Sequence, residues 1–139
     1  MALNPNSPTY AGTLGYLFAM AGEYDRAEAL LAQALDSGLR QPSWFHHGLY
    51  LVHYARGEYE QAFLEARRGF PPIGFWEATL QAAALGKPGR VEHGVETLAE
   101  VRRLKSDFDE RSEELLCRTP IQSDVREGIL DGLREAGLG

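Results

Sequence analysis

The sequence predicts an all-α fold: an α-solenoid of about three helical hairpins and a C-terminal capping helix pair, about eight helices in total. Three observations predict it. One phrase occurs twice, Ala21-Gly22-Glu23-Tyr24-Asp25-Arg26-Ala27 and Arg56-Gly57-Glu58-Tyr59-Glu60-Gln61-Ala62, with a weaker copy at Pro88-Gly89-Arg90-Val91-Glu92-His93-Gly94. Its glycines lie 35 and then 32 positions apart, near the roughly 34-residue period of stacked helix–turn–helix units. Trp44 and Trp76 are also 32 apart, so tryptophans and glycines keep one register. After each glycine the apolar residues recur with helical rhythm.

Taken in order, each glycine supplies the left-handed turn between a first and a second helix. The first helix of repeat 1 opens at Ser7-Pro8, a cap followed by proline where a missing N–H is harmless. Its second helix carries Tyr24, Ala27, Leu31, Ala34 and Leu35 on one face. Pro42-Ser43 breaks the chain before repeat 2, whose second helix presents Tyr59, Ala62, Phe63 and Ala66. Pro71-Pro72 precedes repeat 3, with Val91, Gly94, Val95, Leu98 and Val101 inward. The small residues Ala27, Ala62 and Gly94 recur where facing helices must approach closely. The repeats span about 8–41, 42–71 and 72–105, within a single domain of residues 1–139.

Residues 106–139 form the expected cap. Asp107 to Cys117 reads as a polar helix carrying Phe108, Leu115 and Leu116. Thr119-Pro120-Ile121-Gln122 has the form of a capping box with proline at its first helical position. It opens a last helix with Val125, Ile129, Leu130 and Leu133 inward, ending at Gly137. The pair is expected to cover the open end of the stack, because a terminal repeat must turn a polar face to water.

Composition narrows the function classes. With 139 residues, 44% hydrophobic and 24% charged, the chain can bury a core like an ordinary soluble domain. A formal net charge of −6 argues against nucleic acid as a partner, since phosphates need a basic stripe. The cations Arg102, Arg103 and Lys105 are followed by Asp107, Asp109, Glu110, Glu113 and Glu114, a self-compensating surface. The single cysteine, Cys117, cannot form an internal disulfide, and beside Leu115 and Leu116 it reads as a small buried hydrophobe. The apolar stretch Tyr10 to Gly22 lacks the positive region of a leader, because no Lys or Arg precedes Arg26. No run reaches the roughly 20 apolar residues that span a membrane. A cytoplasmic protein without membrane partners is expected.

The spaced residues Leu14-Gly15, Phe18, Gly22, Tyr24, Ala27, Leu31 and Ala34 resemble the tetratricopeptide repeat. Repeat 2 has Leu49 and Tyr50 at the Leu-Gly positions and Gly69 at the late Ala. Repeat 3 keeps the turn but carries Gln81 and Ala82 at the Leu-Gly positions. Four further stretches are Asn4-Pro5-Asn6-Ser7-Pro8, Ala82-Ala83-Ala84-Leu85-Gly86, Leu104-Lys105-Ser106-Asp107-Phe108 and Leu130-Asp131-Gly132-Leu133-Arg134-Glu135-Ala136-Gly137-Leu138. They look like the C-terminal tetratricopeptide regions of bacterial class III adenylate/guanylate cyclase-like and TolB-like or winged-helix regulators. Ser106 stands where proline is usual there. The resemblance implies an interaction scaffold only, since no catalytic or DNA-reading residue has a matching position. It also implies a fragment or free-standing remnant of a longer solenoid.

In that family the first helix of each hairpin lines a concave groove. The resemblance therefore places Thr13, Tyr16 and Met20 of repeat 1, Trp44, His47, Leu51 and Tyr54 of repeat 2, and Trp76, Thr79 and Leu80 of repeat 3 on the binding face. This face is aromatic and nearly uncharged, so a clamp for a C-terminal carboxylate is not expected; the expected partner is an unidentified peptide or protein segment. The competing reading is packing, because aromatics at helical spacing are more often core. Two alternatives stay open. One is homodimerisation through Tyr10, Leu14 and Phe18; the other is a small-molecule pocket in the aromatic groove.

No catalytic, phosphate-binding or redox motif occurs, so neither an enzyme nor a cofactor is expected. His46, His47 and His53, with His93 more distant, lack the i, i+4 spacing that places two ligands on one helix face, so no metal is expected. Glu58, Glu60 and Glu65 read as a solvated face of a second helix.

Overall fold

The computed structural model describes residues 8–37, 44–67, 75–86, 90–118 and 121–138. Among them are eight helices and no strand: α1 (Pro8–Ala21), α2 (Tyr24–Leu35), α3 (Trp44–Ala55), α4 (Tyr59–Arg67), α5 (Phe75–Gly86), α6 (Val91–Leu104), α7 (Phe108–Cys117) and α8 (Ser123–Glu135). The fold is all-α.

Two of the repeated glycines do what their position requires. Gly22 and Gly57 have φ of 87° and 75°, a region closed to most side chains. At each, the glycine N–H donates three residues back and the next N–H five back: Gly22 to Ala19 and Glu23 to Phe18, then Gly57 to Tyr54 and Glu58 to His53. This pairing satisfies the orphan carbonyls at a helix end and turns the chain. Gly89, Ser7, Pro42, Ser43, Pro71 and Pro72 lie outside the described residues.

The helices pack in sequential pairs, α1 on α2, α3 on α4 and α5 on α6, and each pair abuts the next. Ala27, Leu31 and Ala34 of α2, Ala62, Phe63 and Ala66 of α4, and Leu98 and Val101 of α6 are buried as their rhythm requires. Each large apolar side chain fully removed from water contributes about 1.5–3 kcal/mol. Val95 is an exception, at 45% exposed. It holds the position of Phe63, which is covered by the His93 ring at 5.6 Å and the Arg90 guanidinium at 5.7 Å from the following turn. The turn at Gly137 lies beside Val95 and leaves its side chain largely open. The side chain of Val91 lies outside the described set.

Acidic residues that follow the repeated tyrosines tie the pairs together. Arg56 reaches Asp25 at 2.6 Å and Glu28 at 2.9 Å, and Arg90 reaches Glu60 at 3.1 Å. All are solvent-facing and worth at most about 1 kcal/mol each.

In α7 the inward stripe is Phe108, Ser112 and Leu116. Position 117 falls about 100° round from 116, so Cys117 is exposed rather than buried. The last helix also departs from expectation. Gln122 has an extended backbone (φ −54°, ψ 136°), so α8 starts at Ser123, after the anticipated capping box. The cap is the Gln122 side chain, whose Oε1 accepts the Asp124 N–H at 2.9 Å. Thr119 and Pro120 lie outside the described residues. Val125, Ile129, Leu130 and Leu133 are buried. They pack α8 against α5 as a cap would, but α8 also lies against α3.

Candidate functional site

Helices α1, α3 and α5 share one face; α8 packs on α5 and α3, and its lead-in at Ile121 reaches α1. Tyr16, Met20, His47, Leu51, Trp76 and Leu80 converge there, around Ile121 of the same chain. Only about 10 Å³ of space remains between them, at the threshold for holding a single water. Ile121 is itself 6% exposed. The expected groove residues are therefore assembled, but around an intramolecular occupant. Leu51 and Leu80 are buried, and Tyr16, Met20, His47 and Trp76 are half-buried.

Of the remaining expected residues, Thr13, Thr79 and Tyr54 lie outside this cluster. Thr13 donates its hydroxyl to the Thr9 carbonyl of its own helix at 2.7 Å. Thr79 is fully buried. The side chain of Trp44 lies outside the described residues. Tyr54, buried at the last-but-one position of α3, donates its hydroxyl to the Gly128 carbonyl of α8 at 2.7 Å. The same oxygen lies 3.3 Å from the Ala83 carbonyl of α5. One proton serves both acceptors, and the shorter contact takes the larger share. Tyr50 stacks on Tyr54 with ring centroids 5.4 Å apart and donates to the Leu80 carbonyl at 2.7 Å. Burial pushes both phenols well above their ordinary value, and the Tyr59 ring nearby adds to this. Both stay protonated donors.

The backbones of α5 and α8 touch here. A Cβ at Gly132 would overlap the Ala83 carbonyl oxygen and stand 2.5 Å from the Tyr54 hydroxyl. Only glycine permits this crossing.

The histidines of α3 each face a carboxylate on a neighbouring element. His46 Nδ1 donates to Glu65 Oε2 at 2.7 Å, and His53 Nδ1 to Glu58 Oε1 at 2.9 Å. Glu65 is 6% exposed, which corrects its reading as a solvated carboxylate. The short polar reach of His46 draws it inward beside Ala66. His47 Nε2 lies 3.6 Å from Glu77 Oε1, beyond hydrogen-bond reach, and is buried with no hydrogen-bond partner. Burial lowers the His47 pKa; Glu77 opposes this and His46 reinforces it. Among the described residues no three His, Cys, Asp or Glu side chains converge as metal ligands.

A second concavity was not anticipated. About 390 Å³ opens between the α1–α2 turn, the α3–α4 turn and the start of α8, lined by Tyr24, Tyr54, Tyr59, Gln122 and Asp124 among others. The sequence signal for it was the tyrosine at the same place in two copies of the phrase, replaced by Val91 in the third.

The anticipated self-association patch is partly folded inward. Tyr10, Leu14 and Phe18 are half-buried, and Phe18 packs on the core beneath the Arg26 guanidinium at 5.8 Å. Among the described residues of α1, the exposed large apolar side chain is Leu17, at 57%. None of the described helices is long and apolar enough to cross a membrane. Comparison with family models, curated proteins and solved structures found no match.

Proposed function

We propose that this chain is a non-catalytic scaffold of tetratricopeptide type that binds a protein segment in the cytoplasm. The observation that supports the reading is the intramolecular occupant of the groove. The α1–α3–α5 face takes up an amphipathic helix and its lead-in, anchored at Ile121, Val125, Ile129 and Leu133. A face that accepts one amphipathic helix in cis has the shape and apolarity to accept another in trans. Partner binding is then an exchange, with α8 leaving as the partner segment enters.

The test is capture of a partner from native lysate, followed by amide exchange on the complex. Exchange across 123–135 should quicken on binding. A partner that binds while those amides stay as slow as in the free chain does not use the groove.

Self-association through α1 is a second reading, favoured by Leu17 alone. Light scattering decides it, because a monomer at every concentration removes it.

A further inference from the structure

The 390 Å³ concavity has the chemistry of a cation site. Its volume falls at the low end of the range for small-ligand sites. Tyr54, 4% exposed, is its floor, and the half-buried Tyr24 and Tyr59 are its sides. The Tyr59 ring meets the Tyr54 ring edge to face, at 75° with centroids 5.0 Å apart, so Tyr59 is held in place as a side wall. Among the described residues lining it, Asp124 alone is charged. Burial raises the Tyr24 pKa and the Asp124 charge raises it further, so the carboxylate acts on that ring.

The backbone adds to the same sign. Helices α1 and α3 end at Ala21 and Ala55, both in the pocket wall, and helix C-termini carry partial negative charge. The opposing positive end of α8 is blunted, because Gln122 Oε1 accepts the Asp124 N–H and the Asp124 carboxylate sits in that first turn. The neighbouring cation, Arg56, is held by Asp25 and Glu28.

These walls repel anions. Among the described lining residues Asp124 is the one carboxylate, and Gln122 Oε1 already accepts the Asp124 N–H, a poor match to the roughly six or more oxygens that a hard metal ion takes. A methylated ammonium is weakly hydrated and spreads its charge over methyl groups, which aromatic rings attract. We infer that this pocket binds a methylated ammonium group between the rings of Tyr24 and Tyr59 and the carboxylate of Asp124, over the buried Tyr54. Two sources share that chemistry: a free quaternary amine and a trimethyllysine side chain.

The test titrates the intact chain with choline chloride and follows the ring-proton shifts of Tyr24 and Tyr59. A saturable shift is expected, with the uncharged isostere 3,3-dimethyl-1-butanol binding at least about tenfold more weakly. No saturation, or equal binding of the isostere, overturns the inference. Asp124→Asn, at an exposed position, should weaken choline by about tenfold without lowering the melting temperature by more than a few degrees. Tyr24→Phe should keep binding and Tyr24→Leu should lose it. Equal losses in both would mean packing rather than cation recognition. If Tyr24→Leu does not fold, Asp124→Asn decides. Peptides carrying trimethyllysine or plain lysine separate the sources. Tighter binding of the trimethyl peptide than of choline assigns a protein ligand, and the reverse a free amine. Equal binding of the plain lysine peptide overturns the inference.

Discussion

The Tyr54 hydroxyl donates to the Gly128 carbonyl oxygen at 2.7 Å, joining α3 to α8 across 74 positions of sequence. A carbonyl oxygen has two lone pairs, so Gly128 can accept this bond without giving up its helical one. The contact fixes the last helix over the first helices of the second and third pairs.

Tyr54→Phe removes that donor and keeps the ring. The loss should be about 1 kcal/mol. Amide exchange should quicken across 123–135 more than across α1 and α2. A uniform change along the chain would mean that the hydroxyl does not hold α8.

Gly132→Ala should destabilise by about 1–3 kcal/mol, because its methyl meets the Ala83 carbonyl. Helix propensity alone predicts the opposite sign, a gain of about 1 kcal/mol for replacing glycine within a helix. A urea melt therefore distinguishes a close crossing from an ordinary helix surface by its sign.

Glu65→Ala leaves the His46 Nδ1–H without its buried acceptor and should cost about 1–3 kcal/mol. Glu58→Ala, which removes a solvent-facing carboxylate, should fall within about 1 kcal/mol of wild type. Similar losses in the two variants would restore the view of Glu65 as a surface residue.

The His47 pKa is lowered from its ordinary 6.5, chiefly by burial. As pH falls through that value the unfolded chain takes up the proton before the folded one does. This contribution to stability is complete above pH 6.5 and is lost below it. The drop in melting temperature between pH 7.5 and 5.5 should shrink in His47→Gln. An unchanged drop would mean that His47 titrates alike in both states.

The helices were legible because periodicity and turn chemistry are local: Gly22 and Gly57 need a positive φ, and Ala27, Leu31 and Ala34 need one face. Helix-end chemistry was less legible. The box at 119–122 had the right residue types, yet the extended backbone of Gln122 moved the start to Ser123. Glu65 and Val95 were misread because burial depends on what the next element brings. His46 arrives over Glu65, while the turn at Gly137 that lies beside Val95 leaves it 45% exposed. The path of α8 is a long-range outcome, fixed by Tyr54, Ala83, Gly128 and Gly132 together. No spacing within α8 itself announces it, so groove residues and their occupant could not be matched from sequence.

The most direct test is whether the last helix fills the groove in solution, read from nuclear Overhauser contacts in the free chain. The Tyr54 ring should show cross-peaks to Gly128, and the Ile121 methyls cross-peaks to Leu51 and to the Trp76 ring. Cross-peaks within the pairs α1–α2, α3–α4 and α5–α6, with none from residues 121–135 to α3 or α5, would contradict it.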